Sequence, residues 1–221
     1  YANVENMDSA VGQITLSLDR LNLTKNTLVI FSSDNGPETL NRYRNAWRSH
    51  GSPGPLRGMK LHTHEAGIRV AGIMRWPIQI KAKQVSNSPV SALDLLPTFA
   101  SLAAGEIPIN LKLDGADIIN AFGGSSVRRK QPLFWCYYSS LNKAKIAIRD
   151  GEWKLLASLK SADGKNIKAR SITEANRSSL LQVKLGDFEL YKISQDIGEM
   201  NNLAEKHPKE LNSMAQKLEL I

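Results

Sequence analysis

The feature that most constrains this chain is an apolar run that ends abruptly in turn residues. The run Thr27-Leu-Val-Ile-Phe-Ser-Ser33 is followed directly by Asp34-Asn35-Gly36-Pro37. A continuous apolar run of this length is typical of a strand buried on both faces, as in a parallel sheet covered by helices. The run therefore predicts an α/β layer fold, with Asp34 and Asn35 in the loop at the carboxyl end of a buried strand.

The neighbouring segments fit the same class of fold. Apolar residues recur at steps of three and four over residues 3–21, which predicts an amphipathic helix before the strand. Residues 38–63 have no sustained period and predict a long loop. Gly67–Trp76 is predicted to be the next strand, and Asp94 is predicted to cap a helix that runs to about Ala104. The order helix, strand, loop, strand, helix is consistent with part of an α/β layer.

The pattern changes after a Gly- and Ser-rich segment at 123–126, which we interpret as a linker between a domain at 1–125 and a second domain at 126–221. A helix is predicted to begin at Pro208 and to close the second domain. The chain before that helix contains four short segments with strand character, 132–138, 144–149, 152–158 and 188–193. We therefore expect a small α+β subdomain with a four-stranded antiparallel sheet.

Charge and hydropathy narrow the classes of partner. The net charge is +8, and residues 126–221 hold 17 basic against 11 acidic side chains. A solvated basic face is the default interpretation of this surplus, and an anionic partner such as an acidic glycan is the alternative. The surplus forms no arginine-rich block and no basic stripe with interleaved aromatics, so we expect no nucleic acid partner. No apolar run approaches the roughly 18 residues that a membrane span needs, so we expect none.

The single cysteine, Cys136, excludes an internal disulfide and a zinc site built from several cysteines. Its apolar and aromatic neighbours predict a buried cysteine in a strand. The chain begins without Met inside the first predicted helix and shows no signal segment. We therefore expect it to be part of a longer protein.

Asp34 and Asn35 form the first candidate site. Ligands of open α/β sheets bind outside the carboxyl ends of the strands. Adjacent carboxylate and carboxamide oxygens suit a hard cation such as Ca²⁺ or Mg²⁺, although two residues cannot complete its coordination. The alternative is an Asx turn that only ends the strand.

The second candidate site is a crowded polar segment before the second predicted strand. It contains Lys60, His62, His64, Glu65 and Arg69. A lysine and a histidine could bind an anionic ester and donate a proton to its leaving oxygen. The two histidines lack the further ligands that a zinc site needs. The alternative is a solvated loop with an ion pair between Glu65 and Arg69.

Together these segments resemble the sulfatase family of the alkaline-phosphatase superfamily. The resemblance runs in order through Asp8–Gly12, Asn26–Pro37, Leu56–Lys60, His64–Val70, Ala92–Thr98, Ala147–Leu155 and Glu189–Ile193. It implies the C-terminal portion of a type I, formylglycine-dependent sulfatase. The implied fold is a partial alkaline-phosphatase-like α/β sandwich with a small C-terminal α+β subdomain.

The resemblance also implies roles for individual residues. Asp34 and Asn35 match two ligands of the active-site Ca²⁺, for which Mg²⁺ is a possible substitute. Lys60 matches the catalytic lysine that contacts the sulfate and the leaving oxygen. Glu65 and Arg69 match a turn that we expect to give structural support.

His62, His64 and Arg57 are expected to line the substrate pocket. Ala66 and Ala71 depart from the family pattern, at positions that usually hold glycine and proline.

The nucleophile of the family is not found in this chain. The motif of Cys or Ser followed by x-Pro-x-Arg is absent, and Cys136 is followed by Tyr137-Tyr138-Ser139. We expect the formylglycine upstream, in an N-terminal half of the same protein that would partner this chain. The isolated chain is therefore expected to be inactive.

The resemblance implies hydrolysis of sulfate esters. The sequence around Lys60 resembles that of bacterial enzymes of the N-acetylgalactosamine-6-sulfatase and arylsulfatase type. This resemblance suggests a sulfated sugar or an aryl ester as the substrate. The resemblance to this family also suggests a periplasmic, secreted or lysosomal location. Two alternatives stay open: a non-catalytic module that binds acidic or sulfated glycans, and a phosphodiester or phosphonate hydrolase of the same superfamily.

Overall fold

A computed structural model of the protein describes residues 1–167 and 169–221. The helices are α1 Ala2–Arg20, α2 Glu65–Ile68, α3 Leu95–Leu102, α4 Ile119–Phe122, α5 Glu174–Leu180 and α6 Pro208–Glu219. The strands are β1 Val29–Ser32, β2 Gly72–Arg75, β3 Leu133–Cys136, β4 Ile146–Asp150, β5 Trp153–Lys160 and β6 Lys184–Lys192. The predicted mixed fold of helices and sheets, with a four-stranded antiparallel sheet in the C-terminal part, is confirmed.

The chain divides into two compact units. Unit 1 contains Tyr1–Ser32 and Ala71–Arg129, and unit 2 contains Ser33–Val70 and Lys130–Ile221. The long loop predicted at 38–63 therefore belongs to the same unit as the C-terminal sheet. The domain boundary at residue 125 stays a prediction.

Unit 1 is built around the pair β1 and β2, which is antiparallel with Val29 opposite Arg75 and Ser32 opposite Gly72. This pairing differs from the parallel neighbour that the apolar run indicated. Among the described residues β1 has no other strand beside it. The predicted amphipathic helix is confirmed as α1, but none of its residues is buried.

Asp94 of unit 1 stands at the N-cap position of α3, as the sequence predicted, but its side chain makes no capping hydrogen bond to that helix. Its carboxylate instead accepts hydrogen bonds from the backbone N–H groups of Ser91 and Ala116, at 2.7 and 2.8 Å, and from the Arg129 guanidinium. Burial opposes ionisation of this carboxyl, but Arg129 and the two backbone donors together lower its pKa. Asp94 therefore joins three separate segments of the unit.

The second predicted strand also begins later than expected. Residues Glu65–Ile68 form the one-turn helix α2, and β2 starts at Gly72. A Cβ on Gly67 would lie 2.0 Å from the carbonyl oxygen of His62. The backbone folds back on itself here, and an extended strand cannot follow that path.

Unit 2 contains the antiparallel sheet in the order β3-β4-β5-β6. Helix α6 begins at Pro208 and covers one face, where Met214 and Leu218 are buried. The apolar cluster on this face comprises Ile146, Ile148, Leu155, Ala157, Leu159, Leu190, Met214 and Leu218. Residues alternate between the faces of a strand, so this cluster accounts for every second residue of the central strands.

The other face of the sheet carries polar side chains in one row. Arg149 of β4 lies opposite Lys154 of β5, which lies opposite Tyr191 of β6. Cys136 ends the edge strand β3 and is exposed, so its predicted burial is wrong. An edge strand has a neighbour on one side only, which leaves its last residue open to solvent. Among the described residues, no helix is both long and apolar enough to cross a bilayer.

Candidate active site

All the residues that the sequence singled out lie in unit 2, where two loops are joined by hydrogen bonds. The backbone N–H of Gly36 donates to the carbonyl of Gly67 at 3.1 Å, and that of Lys60 donates to the carbonyl of Pro37 at 2.7 Å. The Thr39 hydroxyl donates to the carbonyl of Lys60 at 2.5 Å. The segment that follows Asp34 and Asn35 is therefore fixed against the segment that carries Lys60.

The backbones of the two loops approach each other closely at Gly36, which is buried. A Cβ at this position would lie 1.6 Å from the carbonyl oxygen of Ala66 and 2.7 Å from its carbon. No side chain fits at that distance, so the approach requires glycine. Ala66 itself is buried in α2, where its methyl group is accommodated despite the departure from the family pattern.

Asp34 and Asn35 are accessible at the turn after β1. Asp34 is exposed and Asn35 is half-buried. The Asn35 side-chain amide donates to the carbonyl of Gly36 at 2.9 Å, which leaves its oxygen as the atom suited to a cation. Within the described ranges no group of three or more His, Cys, Asp or Glu could hold a metal. The two oxygens fit part of a calcium site and require further ligands.

Lys60 is half-buried, and its ammonium forms no ion pair or hydrogen bond with any residue that the structure describes. The next residue, Leu61, has φ of 71°. A leucine in this left-handed region costs on the order of 1–3 kcal/mol, which surrounding contacts must offset. Leu141 helps to hold the turn, since its backbone N–H donates to the Leu61 carbonyl at 2.9 Å.

The two histidines face different partners. The Nδ1 of His62 lies 3.3 Å from the backbone nitrogen of Met59 and 3.1 Å from its carbonyl oxygen. His64 is only 4% exposed, and its Nε2 lies 3.7 Å from a carboxylate oxygen of Glu189. Neither ring nitrogen of His64 forms a hydrogen bond within the described part of the chain. His64 therefore faces the sheet.

Arg57 is held by the same corner of the sheet. One guanidinium nitrogen donates to Glu189 at 3.3 Å, to the Tyr191 hydroxyl at 2.9 Å and to the Glu199 carbonyl at 3.0 Å. The Tyr191 hydroxyl donates to Glu189 at 2.6 Å.

Glu189 has an unusually low pKa. The nearby His64 ring makes the largest contribution, at the 3.7 Å distance of an ion pair rather than a hydrogen bond. Burial opposes this effect, and Tyr191 and Arg57 add to it, so that the pKa falls to about 2. Burial and the same carboxylate raise the pKa of the Tyr191 hydroxyl.

Glu65 is the centre of a second polar cluster. Its carboxylate lies 3.0 Å from Lys154 and 3.3 Å from Arg149, whereas the predicted partner Arg69 lies at 3.6 Å and is half exposed. The backbone N–H of Glu65 donates to the Glu199 carboxylate at 2.6 Å, and Lys154 also pairs with Glu199 at 2.8 Å.

Sequence analysis did not single out Lys154, Arg149 or Glu199. One signal was available, because Lys154 stands between Trp153 and Leu155 inside an otherwise apolar strand. A lysine inside such a strand requires a buried carboxylate partner.

A separate cavity of about 440 Å³ contains none of these residues. It lies between the end of β5 and α5, and Ser161, Asn166 and Leu180 are part of its lining. The candidate site residues therefore lie in the two loops and not in this cavity.

Comparisons with known proteins agree with the fold. The Sulfatase family model matches residues 1–106, and the model of the N-sulphoglucosamine sulphohydrolase C-terminal region matches residues 59–171. Human arylsulfatase A is 35% identical over 201 residues, which are 89% of this chain and 37% of that protein.

Two relatives come from Bacteroides thetaiotaomicron. Its N-acetylgalactosamine-6-O-sulfatase is 29% identical over 219 residues, which are 97% of this chain and 40% of that protein. A solved structure of a 6S-sulf protein from its locus for glycosaminoglycan metabolism superposes with a TM-score of 0.71 at 29% identity, covering 96% of this chain and 42% of that one.

The chain therefore belongs to the sulfatase family, with the fold of the alkaline-phosphatase superfamily. Its similarity to the arylsulfatase and N-acetylgalactosamine-6-sulfatase types is confirmed. It spans between about a quarter and about two fifths of the length of the curated relatives it matches.

We predict that Gly36→Ala separates the two loops. The added methyl group would overlap the Ala66 carbonyl, so the free energy of unfolding should fall by about 2–4 kcal/mol. Gly12→Ala is the matched control, because nothing lies within 4 Å of a Cβ there and alanine favours the helix by about 0.5–1 kcal/mol. Urea unfolding of both variants checks the prediction, and equal effects would contradict the close approach.

We predict that Glu189→Gln changes how stability depends on pH. The pKa of Glu189 in the folded state, about 2, lies below the ordinary value of 4.5. Its contribution is therefore present above about pH 4.5 and is lost as the pH falls towards 2.

The difference in Tm between wild type and Glu189→Gln should thus be largest near about pH 6 and shrink towards about pH 3. Thermal unfolding at a series of pH values measures it. Glu205→Gln, at an exposed carboxylate, is the control. A difference for Glu189→Gln that does not vary with pH would show that its charge is not the cause.

Proposed function

We propose that this chain contributes Lys60, Asp34 and Asn35 to the active site of a sulfuric ester hydrolase. The observation that carries the proposal is the set of backbone hydrogen bonds that joins the loop after Asn35 to Lys60. The free ammonium of Lys60 supports it further, because a half-buried cation without a carboxylate partner is suited to bind an anion.

Lys60 would act on the leaving group. As the S–O ester bond breaks, negative charge develops on the ester oxygen that departs with the sugar or aryl group. An ammonium held within hydrogen-bond distance neutralises this charge and stabilises the transition state more than the bound ester. The left-handed turn at Leu61 supports a fixed position for Lys60, since it restricts the backbone directly beside it.

Asp34 and Asn35 would hold Ca²⁺, or Mg²⁺, through their side-chain oxygens. When bound, the cation supplies positive charge for the sulfate oxygens, and formylglycine supplies the nucleophile. The ligands that complete the cation site, and the formylglycine, would come from residues outside this chain. Within the chain, the exposed Cys136 at the edge of the sheet lacks the nucleophile motif.

We infer a sulfated sugar as the substrate class, with aryl sulfates as accessory substrates. The names of the bacterial N-acetylgalactosamine-6-O-sulfatase and of the human arylsulfatase A support this choice. Action on such glycans would suit a periplasmic, secreted or lysosomal location.

Charge pairing in unit 2 favours an enzyme over a polyanion-binding module. Several basic side chains of the C-terminal region are already in ion pairs: Lys143 and Lys160 with Asp187, Lys192 with Glu152, and Lys217 with Asp150. Two of these lysines hold the pKa of Asp187 at about 2. The basic surplus therefore leaves fewer free cations for an acidic polymer than the composition suggests.

We predict that Lys60→Ala lowers kcat for sulfate ester hydrolysis by about 10²–10³-fold, because the leaving oxygen loses its cation. The test uses the protein expressed from its whole reading frame, with an aryl sulfate and a 6-O-sulfated N-acetylgalactosamine as substrates. Lys81→Ala, at an exposed lysine of unit 1, should stay close to wild type. Hydrolysis of phosphodiesters or phosphonates but not of sulfate esters would overturn the proposal.

We predict that Asp34→Ala removes most of the stabilisation by calcium. Binding of Ca²⁺ to the folded state raises Tm in proportion to its affinity, and one carboxylate ligand fewer should weaken that affinity at least about 10-fold. Thermal unfolding of the same protein is followed with and without CaCl₂ after chelation. Asp114→Ala, at an exposed aspartate, serves as the control. An unchanged calcium response in Asp34→Ala would exclude this ligand.

A further inference from the structure

The loop that carries Lys60 is attached to the sheet by charged groups that are excluded from water. Lys154 and Glu199 are 0% exposed and Glu65 is 1% exposed. An unpaired charge at such a position is strongly unfavourable, so each member depends on the others. The attachment is therefore sensitive to the loss of a single charge.

Lys154 holds the cluster together. Its ammonium lies 3.0 Å from Glu65 and 2.8 Å from Glu199, and it bridges the two carboxylates. Arg149 lies directly opposite Lys154 in the sheet, and two like charges in that arrangement repel unless an anion lies between them. Glu65 contacts both cations and provides that anion.

The position of Glu65 determines the path of the backbone that carries Lys60. The Ala66 N–H donates to the Arg57 carbonyl at 2.9 Å, and the His62 N–H donates to the Met59 carbonyl at 3.0 Å. The segment from Arg57 to Gly67 is thus closed on itself as a compact turn. A displacement of Glu65 is therefore transmitted to Lys60 rather than absorbed by a flexible linker.

The Glu65 backbone adds a direct link to the loop before α6. Its N–H donates to the Glu199 carboxylate at 2.6 Å. Without Lys154, the ammonium that bridges the carboxylates of Glu65 and Glu199 would be missing, and the two negative charges would repel each other.

We infer that Lys154, on the strand β5, is a positioning residue for the hydrolysis, because it fixes the turn that presents Lys60 to the ester. The inference rests on the proposed role of Lys60. Lys154 does not act on the substrate; it acts through Glu65 and Glu199.

The first test measures the turn itself and does not depend on activity. Hydrogen exchange followed by mass spectrometry compares wild type, Lys154→Met and Lys160→Met in the protein from the whole reading frame. Lys160 is the matched control, because it lies on the same strand and pairs instead with Asp187. We expect peptides covering 57–69 to exchange at least about 10-fold faster in Lys154→Met, with α6 unchanged. Equal protection of 57–69 in all three proteins would overturn the inference.

The second test measures coupling to Lys60 in a double-mutant cycle on kcat. Lys154→Met should lower kcat by about 10–100-fold, with a change in KM below about 3-fold, because the misplaced group acts on the chemical step. In the Lys60→Ala background the same change should have an effect below about 3-fold. A purely structural role predicts equal losses in both backgrounds and would overturn the inference.

If Lys154→Met does not fold, Glu199→Gln replaces it in the double-mutant cycle. Its amide oxygen can still accept from the Glu65 N–H, and Lys154 keeps its bond to Glu65. We expect a smaller loss of kcat, below about 10-fold, again only when Lys60 is present. If the wild type hydrolyses no sulfate ester, the proposed function fails, whereas the exchange experiment still decides whether Lys154 holds the turn.

Discussion

The arrangement of unit 2 depends on the buried pairing of Glu65 with Lys154. Both groups are almost entirely excluded from water, and they join a loop to the centre of a four-stranded sheet. Taking two charges out of water costs several kcal/mol per ion, which their attraction offsets only with good geometry and further hydrogen bonds. Arg149 donates a further hydrogen bond to the Glu65 carboxylate, and the Glu199 carboxylate accepts one from the Glu65 backbone N–H. A buried ion pair of this kind contributes little to the net free energy of unfolding, but it fixes the position of the loop relative to the sheet.

The two faces of the sheet illustrate different ways to attach a neighbouring element. Helix α6 is attached through apolar side chains such as Met214 and Leu218. Apolar contact is non-directional, so α6 could shift slightly at small cost. The loop on the other face is attached by hydrogen bonds and ion pairs with fixed donors and acceptors. Because such bonds are directional, they hold a loop in one position more strictly than apolar contacts do. The proposed function would require one position of Lys60.

The sequence predicted the elements that depend on local pattern. The helix α1, the four strands of the antiparallel sheet and the start of α6 at Pro208 were all expected. Periodicity and turn residues determine such elements, and both can be recognised without knowledge of the fold. The resemblance to the sulfatases identified the two loops, and the comparisons confirmed the family.

The sequence could not predict features that depend on contacts between distant segments. Asp94 stands at the N-cap of α3, where aspartate is favoured, but its carboxylate is engaged by Arg129, 35 residues later, and not by the helix. Cys136 looked buried because its neighbours are apolar, but strand order places it at an edge. Glu65 is paired with Lys154, 89 residues away. The apolar neighbours of Lys154 indicate that it needs a buried carboxylate, but no local pattern indicates which one. The roles of Asp34, Asn35 and Lys60 stay predictions.

These long-range contacts explain why one unit contains both the loops and the C-terminal sheet. The residues predicted to act on the ester stand before residue 70, whereas Lys154, Glu189 and Glu199 come after residue 150. A chain that ended before the sheet would keep Lys60 but would leave Glu65 without its cation and Arg57 without its carboxylate. The buried ion pairs thus attach the two loops to the C-terminal sheet in one defined orientation, which non-directional apolar packing alone would not provide.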